Sequence, residues 1–295
     1  MNAKEKKRKK WTRLEIVVMV ILTLIAAAII IPFWSAIVIS FSTNSSYVRN
    51  PFALWPEEFT LENYSVLFRQ KEGLIIAYVN TIKITVIGTF CAMATMVMAA
   101  YVFSREFPGK RFLFMAAIFT MYFSGGGLIP TYLLIKNLNL LNTHAAIILI
   151  NLASVYNIII MKNGFEGIPR DLQEAAMIDG ANDLKIFTRV MLPLQKPLIA
   201  TFSLFTVVSF WNIWYWPMLV LNRSELVTLQ LFLRTILASA SSASESMASE
   251  EFSAMVFSQG IQMASVLIVI LPIMAVYPFL QKYFVKGMMV GAVKM

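Results

Sequence analysis

Residues 167–197, GIPRDLQEAAMIDGANDLKIFTRVMLPLQKP, form a polar segment with four acids and four bases in a chain otherwise dominated by apolar runs. Local chemistry predicts two short helices with a corner between them. Pro169 suits a first helical position, where its missing N–H costs nothing, and Asp171 and Glu174 fall in the first turns, where the helix dipole favours acids. This predicts a helix over residues 170–178. Gly180 then stands just past a helix end, where a left-handed backbone costs glycine least. Asn182 or Asp183 can cap a second helix running to about Met191, closed by Pro193 and Pro197. On the first helix Leu172, Ala175, Ala176 and Asp179 share a face, a small smooth strip flanked by charges. Small side chains let another surface come close, so the segment reads as a contact site for a second protein.

The chain around this segment belongs in a membrane. Of its 295 residues 58% are apolar and 14% charged, with a mean hydropathy of +0.70, against about a quarter charged in ordinary globular chains. Its one cysteine, Cys91, lies in an apolar run, which excludes an intramolecular disulfide and a cysteine metal cluster. His144 is the only histidine. That leaves little for a zinc site or a histidine proton relay.

The expected fold is an all-α membrane protein with six transmembrane helices, at about residues 16–41, 77–103, 112–135, 145–161, 198–221 and 261–284. A basic tail, residues 1–13, precedes a single transmembrane domain over residues 14–295. The first apolar run is roughly twice the core of a signal peptide, so it reads as a retained span with Pro32 as a kink. Lys83 is the one formal charge well inside an apolar run. It is either a functional intramembrane charge or a snorkelling one. Gly125, Gly126 and Gly127, with Pro130, interrupt the third span. They line a path or allow close helix packing. In the fifth span Trp211, Asn212 and Trp214 stand in a WNIWYWP cluster, either an interfacial aromatic belt or a surface on which sugar rings stack. Residues 222–260 read as a long outer connection with a small, polar, acidic tail.

Orientation follows from charge. Six spans place both termini on one side. That side, with residues 104–111 and the loop 162–197, holds 18 lysines and arginines against 6 on the other, while the acids divide eight and eight. By the positive-inside rule the richer side is cytoplasmic. The net charge of +9 is therefore topology and not a nucleic-acid footprint.

The pattern Glu174-Ala175-Ala176, three residues, Gly180, nine residues, Val190-Met191-Leu192-Pro193 resembles the EAA signature of the membrane subunits of binding-protein-dependent ABC importers, with Val190 where isoleucine is usual. The resemblance implies a cytoplasmic loop whose first helix docks in a cleft of an ATPase subunit, through Arg170, Glu174, Ala175, Ala176, Asp179, Gly180 and Ala181, with Leu192 and Pro193 closing the motif. The stretch PEEFTLENYSVLF at residues 56–68 resembles a segment of sugar-importer permeases, and FSGGGLIPTYLLIKNLNLLNT resembles a subgroup linked to complex oligosaccharides. The C-terminal KYFVKGMMVGAVKM resembles the end of maltose-type second permeases, which reaches toward the ATPase and in which Gly287, Gly291 and Lys294 fit the pattern. The implied partners are two ATP-binding subunits, a second related permease, an extracytoplasmic solute-binding protein and a carbohydrate. The implied location is a bacterial or archaeal cell membrane.

The chain holds no G-x-x-x-x-G-K-[ST] phosphate loop and none of the buried acids of proton-coupled carriers. It is expected to bind no cofactor or metal itself and to be no enzyme, with ATP and Mg in the partner ATPase. A secondary carrier would carry paired broken helices in two repeats, and an intramembrane enzyme would carry paired carboxylates, a nucleophile with its base, or metal ligands. Neither pattern stands out.

Overall fold

The computed structural model describes residues 12–69, 71–123, 127–246 and 259–275, and its regular secondary structure among these residues is helical apart from one isolated β-bridge between Ser42 and Phe59. They fall into two compact units, one of residues 1–69 with 237–268 and one of residues 70–236 with 269–295.

In the first unit, α1 (Arg13–Ser40) opens with a capping box: Glu15 N donates to the Thr12 hydroxyl and Thr12 N donates to the Glu15 carboxylate. Its 28 residues continue through Pro32 and span about 42 Å. Mean hydropathy reaches 3.1 with none of that stretch buried within the protein. Such a surface is stable only in lipid or against another apolar surface.

After α1 come α2 (Asn44–Arg49) and α3 (Glu62–Arg69), and here the PEEFTLENY stretch acquires a structural role. Asn63, buried at the start of α3, donates from its amide to both Ser40 O (2.9 Å) and Ser42 O (3.0 Å), carbonyls left open where α1 ends. Phe59 stacks on Phe41 at 5.2 Å, and Tyr64 bonds Ser40 Oγ. The hydroxyls of Thr43 and Ser45 donate to Glu58, and together with the nearby Arg49 they hold its carboxyl below the ordinary carboxylate range. The segment straps the end of the first helix. Asn63→Leu orphans two buried carbonyls, at a cost of about 2 kcal/mol; the expected result is a lower unfolding midpoint in detergent, which Asn63→Gln does not fully rescue because the longer side chain misplaces its donor.

The second unit is organised on α4 (Lys71–Ser104). Its buried positions Ala77, Thr81, Ile84, Gly88, Ala92, Met96 and Ala100 recur every three to four residues, a helical face turned inward. After a turn come α5 (Lys110–Tyr122) and α6 (Leu128–Asn137), so the expected third span is two helices, with Gly125 and Gly126 outside the described residues between them.

The expected fourth span is also broken, into α7 (His144–Ile150) and α8 (Val155–Glu166), bent by 56°. Asn151 donates to Ile147 O, and Ser154 accepts from Asn157 N to start α8 afresh. Polar side chains there compete with the helix for its own backbone.

The loop supplies α9 (Arg170–Ile178), α10 (Asp183–Ile186), a π-helical turn (Phe187–Met191) and α11 (Leu192–Leu194), and then α12 (Lys196–Trp211) departs at 79°. Pro193 does not close the helix as expected. It sits inside a continuing helical turn, and its missing N–H coincides with the widened turn before it.

Beyond Trp211 the fifth run continues as a separate helix, α13 (Tyr215–Val220), and the outer connection contains α14 (Leu229–Ser246). Leu229, Leu233 and Ile236, three to four residues apart, are buried, a period overshadowed in the sequence by the serine-rich stretch that follows. α15 (Gln259–Ala275) covers the beginning of the expected sixth span; the remainder lies outside the described residues.

Candidate functional site

Helix α9 begins and ends where local chemistry places it. Pro169 precedes it with φ −53°, Asp171 lies in its first turn, and Gly180 turns the chain with φ +74°. Gly180 N donates to Met177 O and Ala181 N to Ala176 O, both at 2.9 Å. This is the paired closure of a Schellman motif. Asn182 then accepts from Lys185 N at 2.9 Å and starts α10. The corner is specified at every residue.

No residue of α9 is buried. Ile178 is 86% exposed, Leu184 across the corner 69%, and Leu172 and Met177 nearly half. Ala175, Asp179 and Gly180 are exposed, whereas Ala176 and Ala181 pack against the protein's own core, as does Leu192. The face offered outward is therefore Leu172, Ala175, Ile178 and Asp179, with Ala176 turned in. Arg170 and Glu174 border a groove of about 450 Å³ between α9, the end of α8 and the turn after α4. Its rim is an ion-pair network: Lys162 to Glu166 (2.6 Å), Lys110 to Glu166 (3.7 Å) and Lys110 to Glu106 (3.1 Å).

One residue in this region escapes a reading of the sequence. Arg105, just past α4, donates one guanidinium nitrogen to Gln173 Oε1 on α9 and another to Asp183 Oδ1 on α10 at 2.7 Å. In the sequence it is only one base of a short basic turn, because its partners lie 68 and 78 residues away.

At the other end of α12 the tryptophans separate into two environments. Trp211 is buried, donates its indole N–H to Val269 O at 3.1 Å and meets Tyr78 edge-on. Trp214 carries the Arg234 guanidinium 3.7 Å above its ring. The exposed Asn212 accepts from Gln230 at 3.1 Å. Among the described residues no carboxylate pairs with Arg234. Lys83 is exposed on α4, and Gly127 adopts φ +94° before α6. Gly287, Gly291 and Lys294 lie outside the described residues, as do Gly125 and Gly126.

His144 Nε2 bonds Leu226 O at 3.1 Å, a structural partner, and among the described residues no three His, Cys, Asp or Glu side chains gather as metal ligands.

Long apolar helices and an exposed polar loop capped on both sides of its corner define a membrane component. Residues 73–290 match the family described as binding-protein-dependent transport system inner membrane component, and the chain belongs to that family. It is 41% identical over 273 residues to Protein LplC of Bacillus subtilis, covering 92% of this chain and 91% of that one. It is 38% identical to the polygalacturonan/rhamnogalacturonan transport system permease protein YtcP of the same organism, covering 92% and 95%. A chain from the crystal structure of a bacterial ABC transporter involved in the import of the acidic polysaccharide alginate superposes with a TM-score of 0.78 at 31% identity, over 93% of this chain and 99% of that one.

Proposed function

We propose that this chain is a permease subunit of an ATP-driven carbohydrate importer, that it crosses the membrane six times with both termini in the cytoplasm, and that α9 is its coupling helix. The observation that carries the reading is the contrast within the loop: α9 is closed by fully specified caps at its C-terminal corner and contributes no buried residue to its own protein. A nine-residue helix is marginal in isolation. Capping that strong on a helix so exposed fits a surface held ready for a partner, the nucleotide-binding subunit.

In this reading two such subunits bind ATP and Mg, a second related permease completes the path, and an extracytoplasmic binding protein delivers the sugar. Gly287, Gly291 and Lys294 approach the ATPase from the C-terminus. The solute is an oligosaccharide bearing carboxylates. Support comes from the polygalacturonan permease and the alginate importer among the similar proteins, and from Arg234, which stacks on Trp214 and pairs with no carboxylate among the described residues. Lys83 and the glycines at 125–127 are further candidates along the path.

The test is purification of the tagged chain in gentle detergent. An ATPase and a second permease are expected to come with it, and Ala175→Arg, at the centre of the exposed face, is expected to release the ATPase while the two permeases stay together. Recovery of the chain alone, transporting without ATP, overturns the reading.

The tryptophans give a second expectation. Trp211→Ala opens a large cavity and removes the indole hydrogen bond to Val269 O, about 3–5 kcal/mol, and should show as loss of folded protein. Trp214→Ala, at a partly buried ring that carries the Arg234 guanidinium, should lower the unfolding midpoint far less than Trp211→Ala, and should lower uptake of short oligogalacturonides. Unchanged uptake in Trp214→Ala would remove this residue from the path.

A further inference from the structure

We propose that Arg105 is the positioning residue that makes α9 and α10 move as one body with α4, so that the motion of the loop is delivered directly to the second apolar span as well as to the helices joined to it in sequence. The inference rests on the coupling role of α9.

Few contacts set the angle of α9. Only Gln173 and Ala176 of its nine residues are less than exposed. Ala176 rests on the core, and Gln173 is held by Arg105. The same guanidinium holds Asp183, across the corner at Gly180. One side chain therefore grips the loop on both sides of its turn, and a rigid corner held on both sides cannot pivot. The planar guanidinium reaches the two acceptors from two separate nitrogens in a fixed fork, whereas an ammonium offers its donors from a single point.

The root of the grip is equally fixed. The Arg105 guanidinium lies over the Tyr101 ring at 5.7 Å. Tyr101 is buried at the end of α4 and packs against Phe165 of α8 (5.9 Å) and Phe187 of the π-helical turn (4.7 Å). Arg105 is only about a quarter exposed, whereas Asp183 is largely exposed. The anchor is thus on α4, and the loop is what it holds.

The test uses the assembled importer in liposomes, with an environment-sensitive fluorophore on Met98→Cys in a Cys91→Ala background. Met98 lies on α4 and is half exposed. ATP with vanadate drives the fluorophore response, and basal ATP hydrolysis is read in parallel. Arg105→Ala and Asp183→Asn are expected to lower the response per ATP hydrolysed at least fivefold, with the ATPase still bound. Arg105→Lys is expected to fall between them and wild type, and the exchange Arg105→Asp with Asp183→Arg to recover part of the loss. A response in Arg105→Ala and Arg105→Lys equal to wild type, with Ala175→Arg silent, overturns the Arg105 inference alone. A full response in Ala175→Arg overturns the coupling role of α9 itself.

Discussion

Gly180→Val is expected to reduce uptake by at least tenfold while the chain still reaches the membrane and the partner ATPase still hydrolyses ATP. Gly180 holds φ +74°, where an L side chain costs about 1–2 kcal/mol and a β-branched one more. The strain falls on the residue whose N–H, with that of Ala181, closes α9. With no buried residue to hold it, the helix loses its last turn before the rest of the fold responds. The order of severity separates this cause from crowding: a Cβ on Gly180 meets nothing within 4 Å. Asparagine, which tolerates the left-handed region, should be mildest, alanine intermediate and valine worst. Wild-type uptake in Gly180→Val would show that the corner does not transmit force.

Gly88→Leu is expected to prevent accumulation of the folded chain altogether. A Cβ on Gly88 would lie 2.8 Å from two atoms of the Phe210 ring, and Phe210 is 2% exposed, locked in the core between α4 and α12. Overpacking at such a contact costs about 1–3 kcal/mol, and a leucine adds three further carbons to that clash. Gly88→Ala alone should fold with a reduced unfolding midpoint. Combined with Phe210→Leu it should be less damaging than the sum of the two single changes, since the shorter side chain vacates the collision. Strict additivity in that cycle would mean that α4 and α12 do not meet at this pair.

What could be read from the sequence was what is decided locally. The bounds of α9, the left-handed Gly180 and the Asn182 cap all depend on residues within a few positions of one another, and each stands where its chemistry puts it. Membrane character and the family signature were equally legible, because hydropathy and motif spacing are properties of the chain itself. Continuity of the apolar runs was not. Residues 145–161 are apolar enough to span, yet Asn151 and Ser154 divide them into α7 and α8, and composition averages over such a break. The Trp211 and Trp214 pair admits two readings because burial against Val269 and stacking under Arg234 are tertiary facts. Arg105 was silent for the same reason.

The bend at Gln195 carries a mechanical consequence. Its side-chain amide donates to Gly164 O at 2.5 Å, and a Cβ at Gly164 would collide with Leu198, so the vertex is clamped to α8. From that vertex run two arms at 79°, one of residues 183–194 and one of residues 196–211, about 18 Å and 24 Å long by helical rise. Turned about their vertex, they form a bell crank. A push square to the short arm becomes travel square to the long one, larger by about a third and weaker by about a quarter on these lengths. The shape gives up force and gains stroke.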